Sequence, residues 1–140
     1  MSTVVDTNII IAFWDSDEAL NATARSSLDA ALARGSMIIP APVYSELMAF
    51  AGYTESFLDT FLDEAGFDVD WNLEERVWRA AGQAFQSYAG RRRKQPGTGP
   101  RRILADFLIG AYAASHNFPL LTFDERVYSA AFPALRILRA

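Results

Sequence analysis

Five short apolar runs, each separated from the next by helical spacing, constrain this chain more than any other feature. Thr3 to Val5, Met37 to Ile39, Phe67 to Val69, Leu120 to Thr122 and Leu135 to Leu138 read as strands. A short helical piece over Ile9 to Trp14 follows the first. Leu20, Ala24, Leu28, Ala31 and Leu32 then repeat at helical spacing, with Asp15 to Asp17 as a start signal and Gly35 as a stop. Pro42 suits a first helical turn, and Val43, Leu47 and Phe50 mark one face of the helix it opens. Phe57, Leu58, Phe61, Leu62 and Ala65 mark another helix, closed by Gly66. Leu73, Val77, Ala81, Ala84 and Tyr88 predict a long helix ending at Gly90. Ile103 to Ser115 is helical and almost wholly apolar, and Glu125 to Ala131 is a short helix. Strands that alternate with helices need crossover connections, which build a parallel sheet covered by helices on both faces, an α/β sandwich of three layers. Ligands of such sheets bind beyond the carboxyl ends of the strands, where the strand order reverses.

The 140 residues suit one domain spanning 1–140, and a hydrophobic fraction of 51% can fill its core. The absence of cysteine excludes a disulfide scaffold, a zinc ribbon and a thiol nucleophile. His116 is the only histidine, so no multi-histidine metal site exists, and its place near a helix end suits the helix dipole rather than catalysis. No run approaches the roughly 18 apolar residues of a membrane span. The start MSTVVDTN lacks a basic region and a cleavage site, so no signal peptide is expected and a cytoplasmic location follows.

Four carboxylates stand where carboxylates are unexpected. Asp6 is the only charged residue among the first 14 and ends an apolar strand; its other reading is a helix cap. Asp106 is the only charge between Ile103 and Ser115, on a helix apolar enough to be buried. A lone buried carboxylate needs a partner, either a cation or a neighbouring Arg such as Arg101 or Arg102. Glu46 shares the inward face of Val43, Leu47 and Phe50, or stands at its flank. Asp124 follows Leu120 to Phe123 at a strand's end, where capping of the next helix is the alternative. In a parallel sheet all four can meet at one edge. Four acids in one pocket raise each other's pKa values, and a hard divalent cation relieves that repulsion. Oxygen ligands without Cys or paired His favour Mg²⁺ or Mn²⁺ over zinc. Such an ion holds a phosphate oxygen and activates water.

With these pieces in place, the sequence resembles the PIN-domain ribonucleases, in particular VapC-like toxins of bacterial toxin–antitoxin pairs. The resemblance rests on VVDTNIIIAF at 4–13, PAPVYSELMAF at 40–50, LADFLIGAYAASHN at 104–117 and LLTFDERVY at 120–128, in that order over nearly the whole chain. It implies a five-stranded parallel sheet in the order 3-2-1-4-5. It implies that Asp6, Glu46, Asp106 and Asp124 form the catalytic pocket, with Asp6, Asp106 and Asp124 as metal ligands. Glu46 would orient a metal-bound water or complete a second site, and Thr7, Asn8 and Thr122 would fix the acids through hydrogen bonds. The implied reaction is Mg²⁺-dependent hydrolysis of RNA to 5′-phosphate and 3′-hydroxyl ends, with a transfer RNA, a ribosomal loop or a message all open as the target. A homodimer and a cognate antitoxin that inserts a segment into the acidic groove are implied as well. The resemblance departs from the family at TFDER around Asp124, where the family varies, and at a longer and more basic stretch before Asp106.

That stretch, Arg91 to Arg102, holds 6 of the 13 basic residues and no acid, while the whole chain carries 17 acids and a net charge of -4. It reads as a loop. Arg91, Arg92, Arg93, Lys94, Arg101 and Arg102 are candidates to meet RNA phosphates, against the alternative of a solvated surface loop. A phospho-acceptor receiver domain has the same sheet but needs a late lysine, and the only lysine is Lys94. An aspartyl phosphatase needs a second Asp where Asn8 stands. The remaining alternative is a catalytically silent PIN-like module that binds RNA or protein. Trp71 and Trp78 suit a core or a dimer surface. Phe57, Phe61 and Phe85, at helical spacing, suit core or oligomer contacts rather than base stacking.

Overall fold

A computed structural model describes residues 1–17, 19–50, 53–94 and 103–140. Its elements in chain order are β1 (Thr3–Val5), α1 (Thr7–Trp14), α2 (Asn21–Arg34), β2 (Met37–Pro40), α3 (Ala41–Met48) and α4 (Glu55–Ala65). There follow β3 (Phe67–Asp70), α5 (Glu75–Lys94), α6 (Leu104–Ser115), β4 (Leu120–Thr122), α7 (Glu125–Ala131) and β5 (Ile137–Arg139). The strands form one five-stranded sheet in the order β3-β2-β1-β4-β5. All four pairings are parallel, with Val4 opposite both Ile38 and Leu120 in the middle of the sheet. The chain steps outward from β1 to β2 to β3, then crosses back to β4 on the other side of β1. Because such crossovers are right-handed, helices formed before and after this reversal cover opposite faces. The α/β/α architecture and the strand order expected from the sequence are therefore present.

The core explains the placement. Val4, Val5, Ile39, Leu120 and Leu121 are buried on the strands, and Ile9, Ile10, Val43, Leu47, Val77, Ala81 and Ile109 are buried on the helices. Each large aliphatic side chain withdrawn from water contributes about 1.5–3 kcal/mol. Gly66 closes α4 in the left-handed conformation at φ 83, which a residue without a Cβ adopts without strain.

Most boundaries fall within a residue or two of the sequence expectation, and three of the differences change how a segment reads. The helix expected to start at Asp15 to Asp17 starts at Asn21, and Asp15 instead closes α1 by donating its N–H to the Ile11 carbonyl at 3.2 Å. The last strand begins at Ile137 rather than Leu135, because the Leu135 N–H turns back to the Phe132 carbonyl at 3.0 Å. Helix α5 does not stop at Gly90 but runs to Lys94. Arg91 to Lys94 are thus its last turn rather than a loop, where cationic side chains suit the negative end of the helix dipole.

Candidate active site

The reversal of strand order falls between β1 and β4, and the polar cluster lies just past their carboxyl ends. Asp6 follows β1 in extended conformation and opens α1. One carboxylate oxygen accepts the Thr7 N–H at 2.8 Å and the other accepts the Thr122 hydroxyl at 2.8 Å. The capping role weighed from the sequence is therefore real, but it uses only one oxygen. Asp6 is 4% exposed. Burial pushes its pKa up to about 7; the hydrogen bond from Thr122, the neighbouring Tyr128 hydroxyl and the Thr7 N–H pull against that rise, and the Asp106 charge adds to it.

Thr7 links Asp6 to the next acid. Its hydroxyl donates to Glu46 Oε1 at 2.6 Å, while its N–H serves Asp6. Glu46 rises from α3 beside buried Val43 and Leu47, and is itself half-buried. Burial raises its pKa, the Thr7 hydroxyl lowers it, and the charge of Asp106 raises it again. Thr122 is the corresponding hinge on the β4 side. Its oxygen donates to Asp6, accepts the Asp124 N–H at 3.0 Å, and lies 3.4 Å from the Asn8 amide nitrogen. Asn8 also donates to Asp124 Oδ2 at 3.3 Å and accepts the Phe123 N–H at 3.4 Å. Asp124 occupies the cap position of α7 without capping it by its side chain; the carboxylate turns to Asn8 instead.

Asp106 stands in the first turn of α6, close enough for its charge to act on both Asp6 and Glu46. It is half-buried rather than buried as its helix pattern suggested, because the sealed part of α6 begins one residue later at Phe107. The four acids and the supporting Thr7, Asn8 and Thr122 thus share one neighbourhood. His116 does not belong to it. It closes α6 ten residues beyond Asp106, about 15 Å along the helix, with its ring between Tyr112 and Phe118.

Sequence reasoning missed Tyr128. It is 2% exposed on α7, and its hydroxyl lies within electrostatic reach of Asp6, Asp106 and Glu46. Burial first, and then those three charges, hold its pKa far above that of an ordinary tyrosine, so it is a neutral hydroxyl. Its only sequence signal is spacing, one helical turn after Asp124, which by itself reads as a core position.

Two clefts flank the cluster. One of about 320 Å³ is lined by Asn8, Ile11, Ala12, Phe123 and Asp124. The other, of about 580 Å³, is lined by Pro42, Glu46, Leu73, Trp78, Leu104 and Leu108. Trp78 and Trp71 are largely exposed, which removes the core reading for both. Phe57 is exposed at its edge but joins a row of rings with Phe50, Tyr53 and Phe61, and Phe85 stacks on Phe107 at 4.9 Å. The basic turn is placed by that second stack. Phe85 and Tyr88 both lie against Phe107, next to Asp106, so Arg91 to Lys94 follow at the same end of the α5–α6 pair. Arg101 and Arg102 lie outside the described residues.

Among the described residues, no three acids lie close enough to form a ready-made cation cage. The donor chemistry nevertheless fits a hard cation. All ligating atoms are oxygens, and Asp6 is buried beside a second acid, so burial and the Asp106 charge raise its pKa and a cation would offset both. Hydroxyls of Thr7 and Thr122 hold the acids that a divalent ion would otherwise draw together.

The PIN domain family matches residues 3–133, and the chain belongs to that family. PIN domains are nucleases that generally use divalent metal ions. The same fold is found in solved toxin–antitoxin complexes. A chain of the VapBC2 complex of Rickettsia felis, bound to a promoter DNA fragment, aligns with a TM-score of 0.69 at 19% identity, covering 99% of this chain and 98% of that one. A chain of a Klebsiella pneumoniae toxin–antitoxin complex aligns at 0.67 and 20% identity, covering 97% and 95%. A chain of DNA-bound VapBC from Salmonella typhimurium aligns at 0.64 and 20% identity, covering 99% and 98%. No curated protein matches the chain. None of the described helices is long and apolar enough to cross a membrane.

Proposed function

We propose that this PIN domain is a Mg²⁺- or Mn²⁺-dependent endoribonuclease of the VapC-like toxin kind, restrained by a cognate antitoxin. The observation that carries the reading is the buried Asp6, joined through Thr7 and Thr122 to Glu46 and the Asn8–Asp124 pair, and facing Asp106. Asp6, Asp106 and Asp124 would hold the ion, which supplies charge neutralisation and an activated water when bound. Glu46, held by the Thr7 hydroxyl, would accept a proton from an attacking water. The raised pKa of Glu46 suits a group that must take up a proton. Arg91, Arg92, Arg93 and Lys94, the cationic last turn of α5, would meet RNA phosphates, with Arg101 and Arg102 as further candidates. A homodimer is part of the same proposal.

The deciding experiment incubates the purified chain and its Asp6→Asn variant with a mixed transfer and ribosomal RNA pool, with Mg²⁺, with Mn²⁺ and with EDTA. Discrete cleavage by the parent alone, abolished by EDTA, is expected. Metal-independent cleavage, or equal cleavage by the variant, overturns the assignment. Tight RNA binding without cleavage would replace it with the silent PIN-like module.

A further inference from the structure

The hydroxyl of Tyr128 is buried, polar and without a hydrogen-bond partner. Buried polar groups in native proteins are almost always paired, so an unpaired one points to a missing partner or a missing state. Packing does not require the oxygen. The ring lies against Gly110 on α6, where an added Cβ would stand 3.1 Å from Tyr128 and 2.4 Å from Phe132. A phenylalanine would fill that space equally well. Gly110 is one turn after Asp106 on the same helix face, so its missing side chain brings the Tyr128 ring alongside the helix that carries this acid. The hydroxyl consequently ends among three carboxylates, with Asp6 near enough to influence it as a hydrogen-bond acceptor would, although no bond is completed. Asp6 has one donor on each oxygen, from Thr7 and from Thr122, and each carboxylate oxygen can accept a second.

We infer that Tyr128 is a positioning residue of the acidic pocket: its hydroxyl, admitted by Gly110, donates to Asp6 and fixes that carboxylate in the orientation that binds a divalent cation. The inference rests on the metal-site reading above and adds a residue to it. A neutral donor aimed at a ligand carboxylate orients it without competing for the cation. Loss of such a supporting bond typically weakens metal binding by about 10-fold or more.

The test is calorimetric titration of Mn²⁺ into the parent, Tyr128→Phe and Asp106→Asn near neutral pH, with thermal melting of each in EDTA. Parent and Tyr128→Phe should melt alike without metal, while the Kd for Mn²⁺ rises by about 10-fold in Tyr128→Phe. An unchanged Kd in Tyr128→Phe overturns the inference and leaves the site reading standing. Absence of Asp106-dependent Mn²⁺ binding in the parent removes both. Should Tyr128→Phe melt lower, the parent alone decides. The ζ-carbon resonance of the tyrosine packed on Gly110 should shift with Mg²⁺, and a resonance that does not move overturns the inference.

Discussion

Two aspartates at strand ends have opposite fates in this molecule. Asp6 follows β1, the central strand, and Asp70 ends β3, an edge strand. Each has a nearly sealed tyrosine for company. Tyr112 donates to Asp70 at 2.7 Å, and Asp70 also accepts the Asn72 N–H at 3.0 Å, so that corner is complete. Tyr128 faces Asp6 without completing a bond, and Asp6 is pushed up to about 7 by burial. The contrast teaches that residue type does not mark which strand-end carboxylate is buried at a crevice. Position in the strand order does, because the reversal between β1 and β4 opens a desolvated crevice that the edge strand cannot offer.

The largest expected effect separates the two corners by activity. Asp106→Asn should reduce the proposed RNA cleavage by at least about 100-fold, while Asp70→Asn leaves it near the parental rate. A comparable loss in both, measured as the rate of discrete product formation, would erase the distinction.

The second effect is on stability. Asp6 binds its proton more tightly folded than unfolded, so between about pH 4 and about pH 7 the native state holds the extra proton. Stability must then fall as pH rises through that window, by up to about 4 kcal/mol from this group. Melting temperatures of the metal-free Asp6→Asn variant should show a shallower fall than the parent, and Mn²⁺ should restore the parent at the upper end. Parallel curves for the two proteins would show that Asp6 is not the strained group.

Smaller still is the difference between the tyrosines. Tyr112→Phe removes a formed bond and should destabilise by about 1 kcal/mol in urea unfolding. Tyr128→Phe removes none and should cost nothing measurable without metal. Equal losses would make the two corners alike. The smallest effect concerns the basic turn: neutralising Arg91 to Arg93 should flatten the log–log salt dependence of RNA binding by about 0.7 for each phosphate no longer neutralised. An unaltered slope returns those residues to the role of a solvated helix end.

The sheet was legible because its central strands are brief apolar runs with clear punctuation. Val4, Val5, Leu120 and Leu121 could hardly be placed elsewhere than in a buried sheet. Errors fell where local signals compete with packing. Gly90 reads as a helix stop, but α5 is already fixed against α6 through Val77, Ala81 and Ala84, and an added Cβ at Gly90 would meet open space. The helix therefore continues into its cationic last turn. Asp15 to Asp17 read as caps because Asp favours both helix ends and turns, and only the fold decides between them. The acids were visible as charges in apolar surroundings. Tyr128 was not, since an aromatic at helical spacing looks like core until the fold shows which acids its hydroxyl meets. Gly110 was equally silent, because nothing in a sequence says which ring will cross a glycine.

The parallel pairing of β1 with β4 has a consequence for synthesis. Asp6 and the Thr122 hydroxyl that orients it are 116 residues apart in the chain. A ribosome therefore delivers the first acid early and its partner only after β2, β3 and the intervening helices have emerged. Until β4 slots in beside β1, no crevice exists for the carboxylates to share. A nascent chain of this kind is chemically harmless through most of its translation, and its proposed activity is born in a single late step.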